Sequence, residues 1–322
     1  MRRVGIRCLW LLLLLAVLLP SGAVGEETME AVYQCKITRN TQLREKPDMD
    51  SAYRGLVKEK ESLLVYEWGE QFCLCGYGDA TGYLPTDRLY EFRSLKGDPL
   101  PNFAPMGGLS VVTAETSART EKYSGNTFQP GDRVAVFDET GRLPMRRYET
   151  HLDTAAFTYV PFPDAASAQP GDVLYAYTTY YNDKIGGDLA KNRQYNIELA
   201  CERTTGTVLQ PGEEFSFNTC CAPYNRDNGY VKAPNISVEG TGVAGGVCQV
   251  STTIFNAVLG LPLQINEWEV HRASGVLYVP VNFDACVASW VDFRFVNTLD
   301  YPLLMEVLPQ RGALTVIFSR AE

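Results

Sequence analysis

The chain has 322 residues, 38 of them Asp or Glu and 29 Lys or Arg, for a formal net charge of -9. No clustered basic face accompanies this acidic balance, which argues against a nucleic-acid partner, because such partners call for a basic patch or stripe. The length is more than one small core usually organises, so two or three domains are expected.

Met1, Arg2, Arg3 and Arg7 make a cationic start, followed by an apolar stretch over residues 9–19 that includes five consecutive leucines, Leu11 to Leu15. A spanning helix needs about 20 apolar residues, whereas a signal-peptide core needs roughly 7 to 15 with small residues at the cut. Pro20, Ser21 and Gly22 interrupt the run, and Ala23, Val24 and Gly25 supply the small residues. Residues 1–25 therefore read as a secretory signal peptide. Cys8 lies at the start of the apolar run, directly before Leu9, not at the cut where lipid attachment would need it. No later stretch is long and apolar enough to span, so the mature chain is expected to be extracytoplasmic with no stable membrane span. Of the nine cysteines, Cys35, Cys73, Cys75, Cys201, Cys220, Cys221, Cys248 and Cys286 would remain, an even set that permits disulfides in that compartment without fixing their pairing. Vicinal Cys220 and Cys221 are poor partners for each other. Zinc is the weaker reading, since His151 and His271 are the only histidines and no paired C-x-x-C knuckles occur; no motif calls for a cofactor.

Residues 30–93 alternate short apolar runs (33–37, 62–68, 72–77, 82–85) with turn residues, the pattern of a small barrel of short strands. Pro99, Pro101, Pro105, Gly107 and Gly108 give residues 94–108 a linker composition. Residues 109–170 form a second β-rich stretch, read either as a degenerate copy of the first or as an unrelated small β domain. From residue 171 to 322 the pattern is α+β. Asp188 to Arg203 places Leu189, Ile197, Ala200 and Cys201 at helical spacing, with Asp188 as N-cap and Gly206 just past the end. Phe293 and Phe295 alternate with Asp292 and Arg294, Leu303, Met305 and Val307 form a second alternating set and Leu314, Val316 and Phe318 a third, with turns between them, and the three read as an antiparallel meander.

The segment from Gly245 to Gly260 (GGVCQVSTTIFNAVLG) carries the chemistry. After Gly245 and Gly246 the chain can turn helical until Gly260 and Pro262 stop it, which puts Cys248 in the first turn. There the free amides and the dipole favour a thiolate, and the same amides can hold an oxyanion or a carboxylate. His271 is the one histidine available as a base, with Asp284 or Asp292 as the orienting acid. Cys248 reads equally as a small buried residue or as half of a disulfide with Cys286 or Cys221, and Gln249, Ser251 and Asn256 as capping and packing residues.

Two resemblances follow from particular residues. Leu43-Arg44-Glu45-Lys46-Pro47, Lys60 to Tyr66, Trp68 and Thr81-Gly82-Tyr83-Leu84 resemble, in order, the landmarks of bacterial SH3-like domains, a family linked to cell-wall recognition. Asn192-Arg193, Asn196-Ile197, Pro211 to Asn218, Gly229-Tyr230, Gly245 to Asn256, Glu267, His271, Tyr278-Val279-Pro280, Asp284-Ala285, Asp292 to Phe295 and Asn297 resemble the VanW-like domain over roughly residues 175–308. Ala244 departs from it where a third glycine is common, and Phe283 where a glycine often precedes Asp284. The resemblances imply N-terminal all-β SH3-like barrels before an α+β VanW-like domain with an antiparallel sheet, in a bacterial envelope protein whose partner is peptidoglycan or its peptides. Two functions then compete. One is wall binding through Arg193, Gly245, Gly246, Gln249, Ser251 and Asn256. The other is a cysteine peptidase or acyl transferase using Cys248, His271 and Asp284 or Asp292.

Overall fold

The computed structural model describes residues 29–95, 99–120, 123–144, 150–181, 187–236, 240–271 and 275–322. The expected signal peptide lies outside them. No helix among them is long and apolar enough to cross a membrane.

Seven strands, β1 (Tyr33–Ile37), β2 (Thr41–Arg44), β3 (Tyr53–Val57), β4 (Ser62–Glu67), β5 (Phe72–Tyr77), β6 (Ala80–Pro85) and β7 (Leu89–Ser94), pair antiparallel in the order β3-β2-β6-β5-β4-β1-β7. Alternation of apolar and polar residues decides which face is buried. Tyr33, Cys35 and Ile37 point in while Gln34 and Lys36 point out or lie half-buried, and Leu63 and Val65 repeat the pattern on β4. End strands β3 and β7 do not pair with each other, so the described residues form an open sheet and not a closed barrel.

The next segment holds β8 (Gly108–Val112), β9 (Thr116–Thr120), β10 (Tyr123–Phe128), β11 (Arg133–Val136) and β12 (Phe157–Pro161), arranged as a three-stranded sheet β11-β8-β12 and a two-stranded ribbon β10-β9. Packing crosses residue 170: Met106, Leu109 and Ala135 belong to the same core as Leu174, Ile254 and Phe318. Arg133 also pairs with Glu306 at 2.7 Å. The proline-rich connection is packed as well. Phe103 stacks on Phe283 with ring centroids 6.0 Å apart, and the buried Met106 amide donates to the Tyr175 hydroxyl at 2.8 Å. Residues 31–322 form one compact unit.

The remaining elements are β13 (Val173–Tyr180), α1 (Asp188–Thr204), β14 (Thr207–Leu209), β15 (Glu214–Ser216), α2 (Phe217–Cys221), β16 (Lys232–Pro234), β17 (Thr241–Val243), α3 (Val247–Leu259), β18 (Gln264–Glu267), β19 (Arg294–Val296), β20 (Leu303–Gln310) and β21 (Ala313–Arg320). The antiparallel sheet β13-β21-β20-β14 forms one wall. The hairpin β20–β21 turns at Arg311 and Gly312, both at positive φ (43° and 82°), as a tight hairpin turn requires. The expected meander is divided: β19 leaves its successors and pairs instead with β15 and β18. Phe295 on β19 and Phe293 just before it face the core and meet Phe318 and Phe255 edge to face.

Helix α1 forms as expected, with a different start. Gly187, at φ 106°, makes the turn, and Asp188 sits inside the first turn, where its carboxylate complements the helix dipole. Leu189 is 44% exposed; the buried stripe begins at Asn196, whose amide group reaches the Val231 and Gly245 carbonyls. All eight cysteines among the described residues are unpaired. Five of them, Cys35, Cys73, Cys75, Cys201 and Cys221, are buried in the cores as small apolar side chains, which is reason enough for their burial, and Cys220 and Cys248 pack against one of those cores.

Gly260 ends α3 beneath Tyr175, where a Cβ would sit 2.1 Å from the ring. Gly260→Ala is expected to lower the unfolding free energy by about 1–3 kcal/mol, read as a lower urea midpoint. An unchanged midpoint would show that Tyr175 yields without cost.

Candidate functional site

Helix α3 is buried along its whole length except at Cys248 and Leu259. Val250, Ile254 and Val258 face the core sheet, and Phe255 stacks on Trp268 at 4.7 Å. Its opposite side is polar and equally buried. The Ser251 hydroxyl donates to the Ala285 carbonyl at 2.8 Å, the Thr252 hydroxyl accepts from the Ala285 amide at 2.9 Å, and Asn256 Nδ2 donates to the Phe283 carbonyl at 2.7 Å. Trp268 Nε1 adds a bond to the Asp284 carbonyl at 2.9 Å. Residues 283–285 are thus fixed to the helix that carries Cys248, although about thirty residues separate the two in sequence.

Two glycines let the chain enter this helix. A Cβ on Gly245 would lie 2.5 Å from the Pro234 carbonyl oxygen, and Gly246 has φ 105°. Ala244 is also left-handed, at φ 62°, a conformation that favours the glycine this chain lacks there. Cys248 follows as the second residue of α3, where a backbone amide has no acceptor within the helix.

Around Cys248 the groups form a chain. Asp284, fully buried, accepts from His271 Nδ1 at 2.6 Å and from the His271 amide at 2.9 Å through the same oxygen, Oδ2. The imidazole is oriented by those two bonds. Its ligand atom, the Cys248 sulfur and the Cys286 sulfur all lie within 4.8 Å of one another. The hydrogen bond from Cys286, with the bond and charge of His271, holds the Cys248 thiol well below its ordinary value against the opposing effect of burial. Burial acts to lower the His271 pKa, but the bonds to Asp284 and Cys248 outweigh it and raise the pKa to about 9. Cys286 moves the other way, pushed up by its bond to Cys248 and by burial, so it stays a thiol and donates. The arrangement is a thiolate–imidazolium pair with a carboxylate behind it, the set that activates a sulfur nucleophile.

These groups open on a cleft of about 940 Å3 lined by Tyr181, Arg193, Gln249, Tyr278 and Trp290, among others. Arg193 Nη2 donates to Gln249 Oε1 at 2.8 Å, and Gln249 is anchored in turn through Nε2 to Thr179 Oγ1 at 3.0 Å and the Tyr180 carbonyl at 3.2 Å. No Asp, Glu or Lys is among the residues lining the cleft, so Arg193 is its one fixed cation among the described residues.

The sequence candidates therefore divide. Cys248, His271, Asp284, Arg193, Gly245, Gly246 and Gln249 come together. Asp292 does not join them: it accepts from Ser216 Oγ at 2.6 Å and from the Asn218 amide at 2.8 Å, bracing the start of α2. Ser251 and Asn256 hold residues 283–285 in place and do not line the cleft. Cys286 enters the site as a thiol beside Cys248, where the sequence suggested at most a disulfide. Its position two residues after Asp284 was the available signal, because an extended segment puts i and i+2 on one side.

Residues 192–318 match the family model described as VanW like protein. Over 148 residues, 44% of this chain and 46% of the relative, the chain is 41% identical to an uncharacterized Bacillus subtilis protein, YoaR. Over 140 residues, 40% of this chain and 50% of the relative, it is 30% identical to the vancomycin B-type resistance protein VanW of Enterococcus faecalis. The C-terminal region is thus a VanW-like domain, and the chain spans about half the length of the curated relatives it matches. No solved structure matches it.

A cysteine with a lowered pKa keeps its thiolate reactivity until the pH falls through that lowered value. Cys286→Ala removes the largest lowering contribution. In reduced, metal-free protein, the acid limb of Cys248 alkylation is expected to move to higher pH, slowing the reaction at about pH 6 roughly tenfold for each pKa unit. An unmoved limb would contradict the role given to Cys286.

Proposed function

We propose that the chain is an exported cell-envelope protein that binds peptidoglycan peptides and transfers their acyl groups, with Cys248 as nucleophile, His271 as general acid and base, and Asp284 as the orienting carboxylate. The observation that carries this reading is the pairing of His271 with Asp284 on one side and the Cys248 sulfur on the other, at the floor of an open cleft.

In this mechanism the Cys248 thiolate attacks a peptide carbonyl, and the first-turn amide of α3 faces the developing oxyanion. Collapse breaks the C–N bond, His271 gives its proton to the leaving amine, and a thioester remains on Cys248. Water or a second amine then resolves the thioester, with His271 taking the proton back. Arg193, held by Gln249, supplies the positive charge for a substrate carboxylate. The apolar start of the chain, with its small residues at 23–25, supports export. The SH3-like landmarks of residues 30–93 support a region that holds the wall, and the name of the Enterococcus relative associates that protein with vancomycin resistance.

Incubation with soluble stem peptides and intact-mass analysis tests the reading. The expected result is an acyl adduct on Cys248 and release of a shortened or transferred peptide. His271→Ala is expected to lower turnover by about 10²–10⁴-fold, and Asp284→Asn by less. Binding with no adduct and no product would leave wall recognition without chemistry and end the enzyme reading.

A further inference from the structure

Cys286 has no part in the acyl-transfer scheme beyond its hydrogen bond, yet its sulfur completes a three-atom cluster with Cys248 and His271. We propose that Cys248, His271 and Cys286 form a zinc-binding site that reversibly blocks the nucleophile.

The donor set fits the ion. Two sulfurs and one imidazole nitrogen, with a fourth position left to solvent or substrate, match the three-ligand zinc sites that keep a coordination position open. A tetrahedral zinc ion holds its ligand atoms about 3.4–3.8 Å apart. The three atoms here already lie within 4.8 Å of one another, so movements of about 1 Å close the site. The second observation is independent of that cluster. Asp284 accepts from His271 Nδ1 at 2.6 Å, which leaves Nε2 for the metal and supplies the carboxylate–histidine pairing that orients and strengthens such ligands. The cleft provides the way in, since all three residues line it. Their supports are hydrogen-bonded: Cys248 is set by α3, the Asp284 carbonyl by Trp268 and the adjacent Ala285 amide by Thr252 of α3, and the Cys286 amide by the Glu269 carbonyl at 2.8 Å. On binding, two S–Zn bonds and one N–Zn bond form. Two protons leave for solvent, one from Cys286 and one shared by Cys248 and His271, and no electrons are transferred.

A cysteine–histidine pair alone offers two ligands. The third, Cys286, is what makes the site selective for a soft divalent ion, and it lies outside the catalytic scheme. The sequence argued against zinc because it has two histidines and no C-x-x-C pairs; the fold instead gathers ligands from three separate segments.

The proposal rests on the acyl-transfer reading only for the word "blocks", and the test separates the two. Reduced full-length protein stripped with a chelator is titrated with Zn2+ against a chromophoric competitor, and with Co2+ to read thiolate charge-transfer bands. One equivalent is expected to bind, with sulfur-to-cobalt bands. Cys286→Ser and His271→Ala are expected to weaken binding by at least 100-fold and Asp284→Asn by about 10- to 100-fold, while Cys220→Ala binds as the parent does. Thermal melting checks that each variant is folded, and Cys286→Ala serves if the serine form is not. Zinc is expected to protect Cys248 from alkylation in the parent and, at the same concentration, not in Cys286→Ser. No uptake, or uptake indifferent to Cys286, overturns the metal site while leaving acylation of the stripped protein as a separate result. Uptake with acyl transfer that requires zinc would keep the site and overturn both the block and the thiolate nucleophile.

Discussion

The whole site depends on a buried polar stripe along one side of α3. Ser251, Thr252 and Asn256 spend their hydrogen bonds on the backbone of residues 283–285 and tie that segment to the helix. Buried polar groups of this kind must be satisfied, because an unpaired one costs about 1–3 kcal/mol. The three side chains therefore admit one position of the segment. That position puts the Asp284 carboxylate behind His271 and the Cys286 sulfur beside Cys248. The motif that looked like a nucleophile followed by polar filler is, in its second half, the device that assembles the other half of the site.

Burying Asp284 completely is costly, and its partner explains how the fold tolerates it. Two hydrogen bonds from His271 converge on Oδ2, while Oδ1 has no partner among the described residues. A carboxylate so placed favours a protonated imidazole. The imidazolium in turn favours the Cys248 thiolate, and Cys286 donates its proton to the same sulfur. The charges alternate from the buried carboxylate through the imidazolium to the thiolate at the cleft. Arg193 carries the remaining positive charge, aimed by Gln249, the residue next to the nucleophile in sequence. Gly246 leaves room for it, since a Cβ there would sit 2.9 Å from Arg193 Cγ.

Much of this was legible in the sequence. Gly245-Gly246 before a helix-capable run predicted α3 and the place of Cys248, apolar runs predicted four of the seven strands of the first sheet (β1, β4, β5 and β6) but not β2, β3 or β7, and alternation predicted β20 and β21. What the sequence left open was pairing between distant segments. Asp284 and Asp292 were equivalent candidates because both follow His271; only the fold sends one to the imidazole and the other to α2. The strand at Phe293 and Phe295 has the alternation of its neighbours, yet joins a different sheet, because register and partner are decided by which face the aromatic rings can bury. Leu189 matched helical spacing but lies ahead of the part of α1 that packs. Cys286 was hidden by the assumption that an exported cysteine seeks a disulfide.

The protonation state of His271 tests the account most directly. In reduced, metal-free protein, the ring-nitrogen NMR shifts at neutral pH should be those of an imidazolium protonated at both Nδ1 and Nε2, losing a proton only as the pH rises through about 9. A neutral imidazole at neutral pH, titrating near the ordinary histidine value of about 6.5, would mean that Asp284 does not sustain the thiolate–imidazolium pair, and the nucleophile assigned to Cys248 would lose its physical basis.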